Sequence, residues 1–212
     1  MVRHFGASQG ENMNIDSQGW VQDPRVRLAI SPNIERGPMT LVRGIVVHQT
    51  DSPTATSTLH SYRSPGANGA HFLIDRDGTI YQTASIRKVT WHVGPLKARC
   101  LAEHRCAPTE LQALKKFDPR GEHRREMAKA HPDRYPSNQD AIGIELVGQA
   151  LPVDALKDDD KTFEPVTSAQ KASLKWLVSG LCRSLGVTMA EVFRHPVVSR
   201  KNRTEAETAV WQ

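Results

Sequence analysis

The sequence predicts an α/β fold. It reads as a single domain with a central mixed β-sheet flanked by helices, plus an N-terminal arm and a charged helical insertion. Three observations point there. Two apolar, β-branched runs, 41–48 and 142–148, read as strands buried on both faces. The turn dipeptide Asp77-Gly78, between two short apolar segments, reads as a hairpin. One helical pattern runs through Leu174, Leu177, Val178, Leu181 and Leu185. The chain has 212 residues, enough for one domain with a sizeable core. No apolar run approaches the roughly 18 residues of a membrane helix, so no membrane insertion is expected.

Taken in order, residues 1–40 read as an arm, punctuated by Asp23-Pro24, Ser31-Pro32-Asn33 and Gly37-Pro38. The core, 41–212, opens with the first strand, which ends at His48. Residues 49–53 form a loop and 57–64 a short helix. The hairpin pairs 71–75 with 79–82. Segment 97–136 holds ten Lys/Arg and six Asp/Glu, so it carries +4 of the chain's net +5. It reads as an insertion with helices at 108–117 and 121–131 and little core material of its own. The strand at 142–148 is apolar except for Glu145. An acidic loop follows, with Asp154, Asp158, Asp159 and Asp160. Thr167 to Gln170 resembles a capping box, and Gly186 stands where a helix C-cap belongs. Residues 188–193 form a short helix or turn leading into Arg194-His195. Of the three cysteines, Cys182 falls in the helical core pattern. Cys100 and Cys106 suit a small disulfide loop in an oxidising compartment.

The basic pI near 9.3 raises the question of nucleic acid. The 97–136 cluster interleaves acids and has few aromatics for stacking, so it reads as a solvated face and no nucleic-acid partner is expected.

Three features carry chemistry. His48 ends a strand, which delivers a side chain to the sheet rim as a metal ligand or base; otherwise it is a satisfied histidine at the core's edge. Glu145 lies between Ile144 and Leu146. Burial raises a carboxylate's pKa towards that of a general base near neutrality, unless an arginine pairs with it. The tail offers His195 and, ten positions later, Glu205, with cations between them. That set suits zinc, or else a solvated basic tail.

The order of these features decides between the readings. The runs Ile45-Val46-Val47-His48, Ala70-His71-Phe72-Leu73-Ile74, Trp91-His92-Val93-Gly94 and Ile142-Gly143-Ile144-Glu145-Leu146-Val147-Gly148, then a late His195 and a carboxylate, resemble the zinc-dependent N-acetylmuramoyl-L-alanine amidases of the amidase-2 / peptidoglycan recognition protein superfamily. The resemblance covers about 41–205, apart from the insertion. It implies one Zn²⁺ held by His48, His195 and Glu205, with Glu207 as the alternative third ligand. It implies hydrolysis of the amide between N-acetylmuramic acid and L-alanine in peptidoglycan. Glu145 matches the catalytic base of the cell-wall-recycling members. Other members carry a tyrosine at the position of Ala70. Arg203 falls where the family places an oxyanion-stabilising lysine, and His92 takes a transition-state role. Trp91, His71 and Gln49 are the expected substrate contacts.

Three biological settings fit this reading: a cytoplasmic recycling amidase, a phage endolysin, or an antibacterial effector exported by a machine such as type VI secretion. Residues 1–22 lack the apolar core of a signal peptide. The expectation is synthesis in a bacterial cytoplasm, non-classical export, action in the periplasm or on the wall, and a cognate immunity protein as partner. A non-catalytic peptidoglycan-binding module is the alternative.

Overall fold

A computed structural model describes residues 12–212. Ten strands form: β1 (Val26–Leu28), β2 (Glu35–Pro38), β3 (Gly44–Gln49), β4 (Phe72–Ile74), β5 (Ile80–Gln82), β6 (Lys88–Thr90), β7 (Ala141–Leu146), β8 (Ala150–Leu151), β9 (Thr162–Phe163) and β10 (Val192–Arg194). The helices are α1 (Ala55–Ser61), α2 (Arg99–Ala102), α3 (Pro108–Leu114), α4 (Pro119–Met127), α5 (Ser168–Leu185) and α6 (His195–Val198).

Six strands make the central sheet, in the order β1-β5-β4-β7-β3-β10. It is mixed: β4 and β5 pair antiparallel as the expected hairpin, and the other neighbours are parallel. The side-chain period of two sorts the central strands onto two faces. Ile45 and Val47 of β3 and Ile142, Ile144 and Leu146 of β7 join the core that Leu174, Leu177, Val178 and Leu181 of α5 complete. Val46 packs on the other face with Val93, Leu96 and Val198. His48 and Glu145 share that second face, because they stand one period from Val46 and Ile144's neighbour Gly143.

Helix α5 is bounded as its sequence dictates. Thr167 and Gln170 satisfy each other's backbone N–H groups, and Gly186 closes the helix at φ +68°. At the hairpin, Gly78 takes φ +88° and its N–H bonds the Asp75 carbonyl.

The described part of the expected arm is woven into the fold. β1 is the edge strand beside β5, and β2 pairs with β6. The buried Gln82 side chain accepts from Val21 N–H and donates to the Gly19 carbonyl, which ties the entering chain to β5. Residues 1–11 of the expected arm lie outside the described residues. β10 begins within the stretch 188–193 expected to be a short helix or turn. A single 3₁₀ turn, Met189–Glu191, precedes it.

The insertion is held by polar contacts. Cys100 and Cys106 form a disulfide. Buried Arg99 makes a bidentate pair with Glu191, both contacts at 2.8 Å, just before β10. Glu122 of α4 accepts from Ala98 N–H and pairs with Arg200. The insertion is thus fastened to the two segments that flank His195. Among the described residues, no helix is long and apolar enough to cross a membrane.

Candidate active site

Three adjacent strands bring the key groups to one edge. His48 and Glu145 are direct partners in the parallel β3–β7 register. β10 lies on the other side of β3, with Arg194 opposite Val47, so His195 emerges beside His48. Their rings stand 4.2 Å apart. Glu205 comes from the turn after α6, where Ala206 adopts φ +55° and its N–H bonds the Gln49 side chain.

His48, His195 and Glu205 are all buried and converge. Glu205 Oε1 lies 2.9 Å from His195 Nδ1 and 3.5 Å from His48 Nδ1. The remaining ring nitrogens fix the tautomers. His195 Nε2 donates to the Val93 carbonyl at 2.8 Å. His92 Nε2 donates to the Ala141 carbonyl at 3.2 Å, which makes His92 Nδ1 an acceptor for His48 Nε2 at 2.9 Å. Both Nδ1 atoms are then bare lone pairs facing a carboxylate oxygen. Three such groups repel one another unless a cation sits among them. Tetrahedral ligands at about 2.0–2.1 Å from zinc stand about 3.3 Å apart, in keeping with these contacts. The donor set therefore fits a divalent metal with one side open to a cleft.

The electrostatics agree. Burial, then the nearby His195 charge, lowers His48 to about 4, which keeps the ring neutral. Burial likewise holds His92 well below the usual histidine range. Burial opposes ionisation of Glu205, but the two histidines set against it outweigh that and hold the carboxyl at about 2. Glu145 goes the other way: burial, then the Glu205 charge, pushes it up to about 7.

The cleft, about 540 Å³, is lined by His48, Trp91, His92, Glu145, His195 and Glu205, among others. The other expected site residues divide. Trp91 is 49% exposed at the cleft, with Arg36 stacked 4.6 Å from its ring centre. His92 touches His48 itself, so it orients the ring of a candidate metal ligand. Its own backbone is pinned by Asn138, which also accepts from Val93 N–H. Gly143 lets the His92 ring lie against β7, since a Cβ there would meet it at 2.8 Å. Gln49 borders the cleft, but both ends of its amide are spent on backbone, at Ala206 and Glu164. His71 is fully buried away from the cleft; Nε2 donates to the Lys88 carbonyl and Nδ1 accepts from Gly143 N–H. Arg203 lines a neighbouring cleft and does not border the one with Glu145. Glu207 also faces that neighbour, outside the converging triad.

Two residues of the site escape the sequence. Lys201 lines the same cleft as Glu145, and its charge lowers Glu145 and His48 slightly. Buried Asn202 anchors the chain there by donating to the Asp158 and Lys161 carbonyls, and the turn that starts at Arg203 carries that side chain away. Tyr62, buried at the end of α1, accepts from Ala70 N–H at 3.3 Å, and its hydroxyl lies close enough to Glu145 to lower that carboxyl. Their signal in the sequence is slight: one more cation in a basic tail, one aromatic after a short helix.

Residues 38–206 match the family model described as N-acetylmuramoyl-L-alanine amidase. Among solved structures, the chain is similar to a selenomethionine derivative of AmpD, with TM-score 0.52, 18% identity and 94% of each chain covered. It is similar to AmpDh3 from Pseudomonas aeruginosa, with TM-score 0.52 and 21% identity, over 83% of this chain and 61% of that one. For PlyL the TM-score is 0.50 and the identity 12%, over 85% of each chain. These three likenesses establish the shared fold. No curated protein matches by sequence. With most of its length matched by one family model, and with the fold those structures share, this chain belongs to the N-acetylmuramoyl-L-alanine amidase family.

Proposed function

We propose that the chain is a zinc-dependent hydrolase that cleaves the amide between N-acetylmuramic acid and L-alanine in peptidoglycan. The observation that carries this is the adjacency of Glu145, on β7, to the buried His48, His195 and Glu205. His48, His195 and Glu205 would hold the ion, which supplies Lewis-acid polarisation and a lowered pKa for water. His92 and the Val93 carbonyl keep both histidines in the ligating tautomer. Glu145, poised at about 7, takes the proton of the attacking water and returns it to the leaving alanine nitrogen. The Tyr62 hydroxyl stands beside the Glu145 carboxyl and favours its charged form. Lys201 supplies positive charge near the carbonyl oxygen, the role that the family resemblance implies for Arg203. Trp91 offers a flat apolar face to a sugar ring at the cleft mouth.

The test is Glu145→Gln. It should retain stoichiometric zinc yet lose about 10²–10⁴ in hydrolysis of muropeptides. Full activity in this variant would remove the base assignment. Full activity in the chelated wild type would remove the zinc.

The Cys100–Cys106 disulfide supports action in an oxidising compartment, outside the bacterial cytoplasm. That favours an exported wall-degrading protein over cytoplasmic muropeptide recycling. As an antibacterial effector it would need a cognate immunity protein in its producer. Expression directed to the periplasm should lyse cells, while cytoplasmic expression should not. Equal harmlessness in both places would contradict this setting.

A further inference from the structure

The two histidines of the candidate metal set each lean on a group from one short stretch, residues 91–94, which follows β6. The His92 ring accepts from His48 Nε2 at 2.9 Å, and the Val93 carbonyl accepts from His195 Nε2 at 2.8 Å. His92 and Val93 belong to no strand or helix, so no ladder of backbone bonds fixes their height above the sheet. One side chain does so instead. Asn138 Oδ1 accepts from His92 N–H at 2.9 Å and from Val93 N–H at 2.8 Å. An amide oxygen has two lone pairs, and here both go to consecutive residues.

Asn138 is itself firmly placed. It is half-buried at the rim of the cleft, in the turn between the charged insertion and β7. Asp140 locks that turn. Its carboxylate accepts from the Ser137 N–H at 2.7 Å and from the Ser137 hydroxyl at 3.0 Å. Arg134, at the end of the insertion, grips the same carboxylate at 2.6 and 3.2 Å. The Asp140 carbonyl accepts from Arg43 N–H at 2.7 Å, at the foot of β3. The turn that presents Asn138 is thus tied to the strands that present His48 and Glu145.

We propose that Asn138 is a positioning residue for the metal site, whose single amide oxygen orients His48 and His195 together. This rests on the reading of His48, His195 and Glu205 as metal ligands. Two branches leave that oxygen. One runs through the His92 side chain to His48, and the other through the Val93 carbonyl to His195. Among the described residues, Asn138 makes no hydrogen bond to a ligand side chain, so it acts only through these neighbours. Without the oxygen, two N–H groups lose their acceptor and the stretch is free to shift. Both histidine rings then lose their outer partner at once. Partners of this kind are each worth about 10–100-fold in metal affinity.

The experiment compares the full-length wild type with Asn138→Ala and Asn138→Asp. Zinc affinity is read by competition with a chromogenic chelator. The visible spectrum of the Co²⁺-loaded protein reads ligand geometry, and amide hydrogen exchange at His92 and Val93 is read in metal-free protein. The wild type should protect both amides. Asn138→Ala should lose that protection, bind zinc about 10–100-fold more weakly and shift the cobalt bands. Asn138→Asp keeps the acceptor, so it should keep the protection and the wild-type cobalt spectrum, with zinc bound at least as tightly. Wild-type affinity and spectrum in Asn138→Ala would overturn the proposal, as would an Asn138→Asp protein as impaired as Asn138→Ala. Fast exchange of both amides in the wild type would also overturn it, and that measurement stands even if Asn138→Ala fails to fold. The two readings fail separately. A wild type that binds no zinc removes the ligand assignment. A zinc-binding wild type with an indifferent Asn138→Ala removes only the role of Asn138.

Discussion

Burial of Glu145 works against its charged form, and general-base chemistry near neutrality uses that shift. Its carboxyl is raised from 4.5 to about 7, so the folded chain binds a proton there more tightly than the unfolded chain does. The stability this group contributes is present below its unfolded pKa and is lost as pH rises through about 7. In metal-free protein, Glu145→Gln should therefore raise stability at pH 8 by on the order of 3 kcal/mol and change it little at pH 4. Thermal unfolding at the two pH values checks this; a loss of stability at pH 8 would contradict it. Activity runs the other way, because the base must be deprotonated: kcat/KM should fall on the acid side, with the bound cation beside Glu145 placing that limb below the metal-free value of about 7. Among the ligands, Glu205→Ala should abolish tight zinc binding and Glu207→Ala should leave it intact, as read by competition with a chromogenic chelator. His92→Phe keeps the ring volume but removes the acceptor for His48 Nε2, so zinc affinity should fall about 10–100-fold by the same assay.

At the scale of elements, the site is an outcome of strand order. β7, β3 and β10 stand side by side and parallel, so three chemically useful residues leave the sheet at one edge. The opposite face of those strands is closed by α5. Leu177→Ala there should cost about 2–5 kcal/mol in urea unfolding. Gly143→Ala should push on both the His92 ring and the buried Ala70 Cβ, lowering activity together with about 1–3 kcal/mol of stability in the same urea assay. β3, β7, the hairpin and α5 are legible in the sequence because each carries a complete local signal: an apolar run, a turn dipeptide, or a capped amphipathic helix. β1, β2, β6 and β10 are three or four residues long and owe their pairing to partners far along the chain, so local pattern says nothing of them. The site divides in the same way. His48, Glu145, His195 and Glu205 stand out because polar groups at the ends or middles of apolar runs, in a recognisable order, are uncommon. Lys201 and Tyr62 reach the cleft only through tertiary placement, and Arg203 is turned away by the anchoring of Asn202.

For the whole molecule, the net charge resolves into one structural feature. The +4 of residues 97–136 sits in an insertion fastened by Arg99–Glu191 and Glu122–Arg200 to the segments on either side of His195. The basic segment thus borders the candidate site and is not a detached tail, and it supplies part of the wall of the neighbouring cleft. The described arm adds an edge strand and the cation behind Trp91. The central claim is that these parts together cut one bond, with metal and Glu145 both required. Mass spectrometry of sacculi and soluble muropeptides tests it most directly, after digestion by the zinc-loaded protein, the chelated protein and Glu145→Gln. The account predicts peptides with free L-alanine amino termini and muramic acid with a free lactyl carboxylate, from the zinc-loaded wild type alone. Cleavage at any other bond, or equal product from the chelated protein or from Glu145→Gln, would contradict it.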